Sequence, residues 1–290
     1  MKLTAVIPVK YPTQHEDNLL RTLDACAGKP IEVLIVFDHQ IATRSLDVTQ
    51  EMFRKRGAVV LSGNFCNPGG ARNFGLSHAS GEWVVFWDAD DSPKVEAALD
   101  AINGASGDDS LLIGSFEFIN QEKGTAIQSD SENFKTDFIK APGIWRFIFR
   151  RSFVSKFVFP SLLLGEDQAF LVSVFANHPR IKFVPDLVYS YNTSVPGQLT
   201  SSLALSKIIQ NHYQVLLYIA KLDIVLHEEC LCCHLIRSMS AKLAISTLAY
   251  LGIFRKLDGL SYFQSRVFLV QKCCSLGVTQ TFRLLLGIIR

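Results

Sequence analysis

The sequence lacks an uncharged apolar run long enough to cross a membrane. The longest such run, Leu243–Phe254, falls well short of the ~20 residues that a transmembrane helix needs. The N-terminus, Met1–Pro8, lacks the layout of a signal peptide and runs directly into a predicted strand. The seven cysteines are odd in number and include two adjacent pairs, so they do not form the pattern of a secreted disulfide framework. We therefore expect a cytoplasmic protein with reduced thiols.

Charged residues are also scarce, at 19% of the chain against 48% hydrophobic residues. This balance argues against disorder and indicates a sizeable apolar core. The net charge of +2 conceals an asymmetry: residues 201–290 carry ten Lys/Arg and four Asp/Glu, a charge of +6, so residues 1–200 carry −4. A mildly acidic body followed by a basic, apolar tail is typical of proteins that meet a membrane surface or an acidic partner.

The first ninety or so residues alternate between predicted strands and predicted helices. The strands are short apolar runs, and the helices carry apolar residues at helical spacing. This order predicts an α/β fold with a mostly parallel sheet and right-handed crossovers. The predicted strands are Leu3–Pro8, Ile31–Phe37, Ala58–Leu61 and Glu82–Trp87, and the predicted helices cover about residues 15–27, 45–56 and 70–79.

The later part of the chain changes character near residue 200. A polar stretch, Asn120–Thr136, is interpreted as a surface loop or a small antiparallel insertion. From Leu203 onward, long amphipathic helices replace the strands, so we predict an α/β domain over residues 1–200 and a helical region over residues 201–290. Between these points the predicted elements are a helix from Pro93, strands at Ser110–Phe118, Trp145–Arg151, Ile181–Val184 and Leu187–Tyr191, and helices at Arg151–Phe157 and 165–176.

Three carboxylates, Asp88, Asp90 and Asp91, directly follow the apolar strand Glu82–Trp87. Ligand sites of parallel sheets lie beyond the carboxyl ends of the strands. Strand alternation predicts that Asp88 and Asp90 lie on the same side, and Mg²⁺ or Mn²⁺ bound together with a phosphate commonly occupies such a cluster. The alternative is a helix start, with Asp91 as the cap and Pro93 in the first turn. Capping needs one acid rather than three.

Other polar features also follow predicted strands. Pro8 and Lys10 end the first strand, Asp38 ends the second, and Asn67–Asn73 opens the helix before the acidic strand. Alone, each feature has an ordinary explanation: a turn for the glycines, a surface charge for Arg72, and a helix cap for Asp38. Together, at one edge of a sheet, they suit a nucleotide, because glycines before a helix accommodate an anion.

The combination resembles the inverting family 2 glycosyltransferases with the GT-A fold, of the bacterial surface-polysaccharide type. The similarity extends over residues 1–200, about two thirds of the chain, in matching order and approximate spacing. The segments that carry it are Ala5–Pro8, Gly70–Gly75, Gly81–Asp91, Trp145–Ser152, Gly165–Asp167 and, more loosely, Tyr189–Tyr191 followed by Gln198–Ser201.

The resemblance implies a role for several residues of the donor site. Pro8 belongs to the donor-binding strand end, Asp38 contacts the nucleotide base, and Arg72 lies on the base or diphosphate side. Asp88 matches the position that touches the ribose or the donor sugar. Asp90 matches the metal-binding acid of the Asp-x-Asp motif.

Asp167 matches the catalytic base of this family, with Glu166 beside it. An acceptor hydroxyl is a poor nucleophile, so a positioned carboxylate must remove its proton. A helix N-terminus, where Asp167 is predicted, favours the ionised form, although these two acids would also suit a simple cap. The divalent ion stabilises the charge on the departing diphosphate, and a single displacement inverts the anomeric centre.

The resemblance implies a donor and an acceptor class. A UDP-sugar is favoured as the donor, and the acceptor is a hydroxyl of a saccharide or lipid-linked oligosaccharide in surface polysaccharide synthesis. Lys10 departs from the family pattern, and residues 119–140 match no acceptor-binding element. Two alternatives remain: an inactive nucleotide- or glycan-binding scaffold, and a sugar nucleotidyltransferase, which typically has a glycine-rich loop after the first strand that this chain lacks.

The tail has two interpretations. Stretches such as Ile253–Lys256 and Phe282–Arg290 combine apolar and basic residues. In the first interpretation, they make peripheral contact with an anionic membrane surface. In the second, their apolar residues pack on the first domain or in a homodimer. A cluster of histidines and cysteines lies nearby. Buried thiols are favoured there over zinc, because the spacing is not a common zinc pattern. That cluster comprises His227, Cys230, Cys232, Cys233 and His234.

Overall fold

A computed structural model describes residues 2–10, 15–38, 44–120, 125–128, 143–193, 195, 204–222 and 231–250. The chain divides into two compact units. The first comprises residues 1–134, 143–161 and 178–196, and the second comprises residues 135–142, 162–177 and 197–290. The domain boundary near residue 200 stays a prediction; the second unit also contains residues 162–177.

The first unit is built on a mixed sheet, in which the described residues form nine strands. The spatial order is β3-β2-β1-β4-β8-β6-β9-β5, and β7 pairs with β6. The strands are β1 (Leu3–Val9), β2 (Ile31–Asp38), β3 (Val59–Gly63), β4 (Trp83–Phe86), β5 (Ser92–Pro93), β6 (Leu111–Asn120), β7 (Thr125–Gln128), β8 (Phe147–Arg150) and β9 (Ile181–Asn192).

The first four long strands confirm the α/β prediction. β3, β2, β1 and β4 are parallel neighbours, with Val6 opposite Leu34 on one side and Phe86 on the other. β1, β2 and β4 are almost fully buried, as expected for parallel strands covered on both faces. Their carboxyl ends therefore lie at the same edge of the sheet.

The other half of the sheet contains the differences from prediction. The strand predicted over Trp145–Arg151 is shorter, because residues 144–146 form a 3₁₀ turn before β8. The two strands predicted over Ile181–Tyr191 are one strand, β9, which runs parallel to β6 with an irregular register near Gly114 and Ser115. Pro185 interrupts the apolar pattern at this irregularity, which explains why the sequence suggested two strands.

Helices of the first unit connect these strands. They are α1 (Glu16–Cys26), α2 (Arg44–Lys55), α3 (Pro68–His78), α4 (Val95–Asn103) and the short α5 (Arg151–Val154). The helix predicted from Pro93 begins at Val95 instead, because Ser92 and Pro93 pair with β9 as strand β5. Of the polar stretch Asn120–Thr136, residues 125–128 form strand β7 against β6; residues 121–124 and 129–136 lie outside the described residues.

The described part of the second unit is helical. It contains α6 (Glu166–Ala176), α7 (Leu205–Ala220) and α8 (Leu231–Tyr250), and these three helices pack against one another. Among the described residues, no helix combines the length and apolarity needed to cross a membrane. The tail stretches Ile253–Lys256 and Phe282–Arg290 lie outside the described residues.

Candidate active site

Asp38 holds a neighbouring loop at the carboxyl end of β2. Its Oδ1 accepts hydrogen bonds from the backbone N–H groups of Phe65 at 2.8 Å and Cys66 at 3.3 Å. Cys66 has a positive φ of 60°, which is uncommon for a residue other than glycine. These bonds come from the loop after β3, so Asp38 anchors that loop; residues 39–43, which lead into the next helix, are outside the described residues. The carboxylate lies at the sheet edge, where a nucleotide is expected.

Helix α3 starts at this edge with a well-formed cap. The Asn67 side chain accepts a hydrogen bond from the backbone N–H of Gly70 at 2.8 Å, and Pro68 occupies the first turn. Both residues favour a helix start at this point. The Asn67 amide also donates to Ser161 Oγ at 3.1 Å. The N-terminus of α3 is therefore fixed at the same edge as Asp38.

Arg72, one turn into α3, makes an ion pair with the first of the three acids. Its Nη2 donates to Asp88 Oδ1 at 2.9 Å, and the Arg72 side chain is 6% exposed. The guanidinium carbon also lies 5.8 Å from the centre of the Phe159 ring. Arg72 is therefore a buried cation that orients Asp88, rather than the surface charge of the ordinary interpretation.

Asp91 neither caps a helix nor lies in solvent. Its side chain is completely buried; its Oδ2 accepts a hydrogen bond from the Tyr189 hydroxyl at 2.9 Å, and its Oδ1 accepts one from the Asn192 backbone N–H at 2.8 Å. Burial, followed by the nearby charges of Asp88 and Asp90, raises the pKa of Asp91 to about 9. The cap interpretation is wrong, because α4 begins later and has no side-chain cap.

The acids occupy a turn rather than an extended strand. β4 ends at Phe86, and the backbone N–H of Asp91 bonds to the Asp88 carbonyl at 3.3 Å. The argument from strand alternation therefore does not apply to Asp88 and Asp90. Both side chains are half-buried, whereas Asp91 is inside the protein.

Three residues that the sequence analysis did not select hold this turn. The Tyr189 hydroxyl accepts a hydrogen bond from the Asp88 backbone N–H at 3.0 Å. The Asn192 side chain donates to the Asp90 carbonyl at 2.6 Å, and the Asn18 side chain donates to the Ala89 and Asp91 carbonyls at 2.9 and 2.5 Å. The sequence similarity did reach Tyr189–Tyr191, but nothing in the sequence connects that segment with the acidic turn.

Asp90 and Asp88 can supply oxygen ligands for a divalent ion. Mg²⁺ and similar ions are commonly bound by one or two carboxylates together with substrate phosphates, so the half-buried pair fits that chemistry. Asp91 does not fit, because its carboxyl group is buried and bonded to Tyr189 and Asn192. The described residues contain no cluster of three or more histidine, cysteine, aspartate or glutamate side chains able to hold a metal by themselves.

Pro8 and Lys10 lie at the end of β1. Pro8 is opposite Val36 of β2 and is half-buried, while Lys10 is exposed just past the strand. The first unit therefore presents Pro8, Asp38, Asp88 and Asp90 at the carboxyl ends of three adjacent parallel strands, with Arg72 paired to Asp88.

Glu166 and Asp167 begin helix α6 in the second unit. The residue before them, Gly165, has a φ of 79°, which favours glycine. The capping position is Gly165 itself, without a side-chain cap, and Asp167 Oδ1 accepts a hydrogen bond from the Gln168 backbone N–H at 2.8 Å. The two acids therefore lie within the first turn, where the helix dipole stabilises negative charge.

The two tail cysteines among the described residues agree with the prediction of buried thiols. Cys232 and Cys233 are buried, and Cys232 Sγ contacts the Val172 carbonyl at 3.5 Å. His227 and Cys230 lie outside the described residues, as does the side chain of His234.

Comparison with known proteins gives a consistent result. The family model described as glycosyl transferase family 2 matches residues 4–163. The chain is 27% identical over 235 residues to the poly(ribitol-phosphate) beta-N-acetylglucosaminyltransferase TarS of Staphylococcus aureus, covering 76% of this chain and 40% of that protein. It is 25% identical over 213 residues to the poly(ribitol-phosphate) beta-glucosyltransferase of Bacillus spizizenii, covering 68% and 33%. The chain thus spans less than half the length of these relatives.

Solved structures show the same fold. TarS residues 1–349 of S. aureus in complex with UDP-GlcNAc align with a TM-score of 0.61 and 19% identity, covering 86% of this chain and 73% of that one. The mannosyltransferase PcManGT of Pyrobaculum calidifontis, in complex with GDP-Man and Mn²⁺, aligns with a TM-score of 0.59 and 14% identity, covering 94% and 86%. At these identities the likeness shows the fold, which confirms the GT-A prediction.

Proposed function

The chain belongs to glycosyl transferase family 2, and we propose that it transfers a sugar from a nucleoside-diphosphate donor, with a UDP-sugar favoured, to an acceptor hydroxyl. The observation that carries the donor site is the Arg72–Asp88 ion pair at the edge where Asp38 and Asp90 also follow parallel strands. A cation and several acids at such an edge suit a ribose and a metal-bound diphosphate.

In this proposal, Asp90, with Asp88 beside it, holds Mn²⁺ or Mg²⁺ together with the diphosphate. When bound, the ion supplies positive charge that stabilises the departing diphosphate. Asp38 contacts the nucleotide base, and Arg72 orients the Asp88 carboxylate toward the ribose or the sugar. Pro8 bounds the donor site at the end of β1.

Asp167 is the proposed general base, and Glu166 lies beside it in the sequence. Removal of the acceptor proton by Asp167 allows a single displacement, so the product has inverted anomeric configuration. The N-terminus of α6 supports the ionised carboxylate that this role requires. The acceptor is proposed to be a saccharide or lipid-linked oligosaccharide of a cell-surface polymer, supported by the two relatives that glycosylate poly(ribitol-phosphate).

The first test is the thermal unfolding of the purified chain with UDP, GDP, dTDP and CMP, each with and without Mn²⁺. A ligand that binds only the folded state raises the melting temperature. We expect UDP with Mn²⁺ to stabilise the protein most and UDP alone to do so less. A well-folded chain that responds to none of the nucleotides would overturn the donor site. Selective binding without sugar transfer to any acceptor would instead favour the inactive scaffold.

A further inference from the structure

Because the turn at Asp88–Asp91 is held by side chains outside the turn itself, we propose that Tyr189 is a positioning residue for the donor site. Its hydroxyl fixes the turn so that Asp88 and Asp90 keep the places that a metal-bound diphosphate requires. The inference rests on the proposed function, since it concerns the same donor site. It assigns to Tyr189, with Asp91 as its partner, a role that the sequence resemblance did not supply.

Two hydrogen bonds connect the Tyr189 hydroxyl to opposite ends of the turn. The hydroxyl accepts from the Asp88 backbone N–H at 3.0 Å and donates to the Asp91 carboxyl group at 2.9 Å. One oxygen atom therefore contacts both the first and the last residue of the turn. Replacing the hydroxyl by hydrogen removes the hydrogen-bond partner of the Asp88 backbone N–H and of the buried Asp91 carboxyl group, which costs free energy.

The Tyr189 ring is itself held in place. It is completely buried and stacks on Trp145, with ring centres 4.9 Å apart and planes 9° apart. Tyr189 also lies opposite Phe116 in the parallel register of β9 and β6. A hydroxyl carried by such a packed ring is a rigid support, as a preorganised site requires.

Two further residues reinforce the same turn, one from β9 and one from α1. Asn192, three residues further along β9, bonds to Asp91 Oδ1 through its backbone N–H and to the Asp90 carbonyl through its side chain. Asn18 of α1 donates to the Ala89 and Asp91 carbonyls. Every residue of the turn thus has a backbone or side-chain group tied to α1 or β9.

This support has a physical purpose in the proposed function. Asp88 and Asp90 are acids separated by one residue, and although Arg72 pairs with Asp88, repulsion between the two like charges favours a more open turn until a further cation binds. A turn that is already held does not have to be ordered when the donor binds, so less binding free energy is lost. Loss of the Tyr189 hydroxyl should therefore weaken metal-dependent nucleotide binding, even though this hydroxyl contacts no metal or phosphate in the proposal.

The test compares Tyr189→Phe with Ser190→Ala in the 290-residue chain. Both changes remove one buried hydroxyl from β9, but Ser190 Oγ donates to Glu117 at 2.5 Å and not to the turn. Two quantities are measured on folded protein: amide hydrogen exchange of the peptide containing residues 87–91, and the Kd of UDP with and without Mn²⁺. Asn18→Ala, which alters a half-buried helix residue, is the second variant in case Tyr189→Phe folds poorly.

We expect Tyr189→Phe and Asn18→Ala to speed exchange in residues 87–91 and to raise the Kd of UDP with Mn²⁺ roughly three- to tenfold, while Ser190→Ala changes neither. We call the set of contacts from Tyr189, Asn192 and Asn18 to the turn at Asp88–Asp91 the clamp. Unchanged exchange in both variants would refute the proposal that this clamp holds the turn. Faster exchange with an unchanged Kd would overturn its positioning role, since a purely structural contact lowers only stability. If exchange is faster in the variants but the wild-type chain does not bind UDP with Mn²⁺, the clamp would be supported and the proposed function refuted.

Discussion

Asp90 and Asp167 have different roles in the proposed reaction, metal binding and proton removal, so their loss should produce different defects. Asp90→Ala removes the proposed metal ligand. We expect transfer to fall at least about a hundredfold and UDP binding to lose its dependence on Mn²⁺. The measurement is sugar transfer and UDP affinity across a Mn²⁺ titration. Asp100→Ala is the control, because Asp100 is an exposed acid on α4; unaltered Mn²⁺-stimulated transfer in Asp90→Ala would refute the assignment.

Asp167→Asn keeps the size of the side chain but removes its ability to take a proton. We expect transfer to fall by a factor of about 10² to 10⁴, typical of the loss of a general base. The Kd of UDP with Mn²⁺ should stay within about twofold of the wild-type value, because the donor site of the proposal does not include Asp167. Transfer at the wild-type rate would show that another group accepts the proton.

At the residue scale, the role of Asp91 could not be predicted from the sequence. Asp91 is followed by Ser92 and Pro93, a local pattern that predicts a helix cap. In the fold, its carboxyl group instead bonds to Tyr189, 98 residues away in the sequence. Local preferences cannot reveal such a partner, so tertiary contacts outweighed the capping preference. By contrast, the pairing of Arg72 with Asp88 joins two segments that the sequence placed at one sheet edge.

At the scale of elements, the position of Arg72 depends on how closely α3 approaches the sheet. A Cβ atom on Gly75, one turn after Arg72, would lie 2.3 Å from Val6 Cγ1 and 3.2 Å from Val36 Cγ2. Any larger residue must therefore push α3 away from β1 and β2. The close approach requires glycine here because of space, not because of backbone conformation.

Gly75→Ala should destabilise the protein by about 1–3 kcal/mol, typical of overpacking a core, despite the better helix propensity of alanine. We also expect weaker UDP binding, because movement of α3 carries Arg72 away from Asp88. Urea unfolding and UDP titration measure the two effects. Gly107→Ala is the matched control, since its Cβ would meet no atom within 4 Å. Equal stability of the two variants would contradict this account.

Helix α7 contains a histidine, His212, that should make stability sensitive to acid. Burial, followed by the charge of Lys242, lowers the pKa of His212 from 6.5 to about 4. Between pH 4 and pH 6.5, the unfolded chain therefore binds a proton at this histidine and the folded chain does not. As a result, the free energy of unfolding falls as the pH drops from about 6.5 toward 4, by up to about 1.4 kcal/mol per pH unit.

His212→Gln should reduce this loss. The measurement is the urea midpoint at pH 7 and pH 5 for the wild type, His212→Gln and the control His78→Gln, whose ring is exposed at the end of α3. The difference between the two midpoints should shrink in His212→Gln alone. A difference equal to that of the wild type would show that His212 does not titrate as described.

The predicted strand boundaries agree closely with the structure where the strand is locally apolar, as in β1, β2 and β4. The sequence was less informative for β5 and β9. Ser92 and Pro93 form a strand only because β9 lies beside them, and the irregular register of β9 depends on its pairing with β6. Both features depend on pairing with strands that are distant in the sequence, so local periodicity cannot predict them.

At the scale of the whole molecule, the charge asymmetry leads to a prediction about surfaces. Residues 201–290 carry +6 while residues 1–200 carry −4, so the chain should bind vesicles of anionic lipid and not vesicles of neutral phosphatidylcholine. Co-sedimentation measures this binding, and salt at about 0.5 M should weaken it by screening. Replacement of Arg255 and Lys256 by serine should reduce binding more than replacement of Arg54 and Lys55, exposed residues of α2. Equal losses would argue against a role of the tail.

The clamp on the acidic turn has a consequence for the order in which the protein is made. Asp88–Asp91 leave the ribosome about a hundred residues before Tyr189 and Asn192, which complete their hydrogen bonds. A nascent chain that ends before β9 therefore carries the acids proposed to bind the metal on a turn that Asn18 can hold, but the Asp91 carboxyl group lacks its bonds to Tyr189 and Asn192. We expect nucleotide binding to appear late in synthesis, when β9 joins β6.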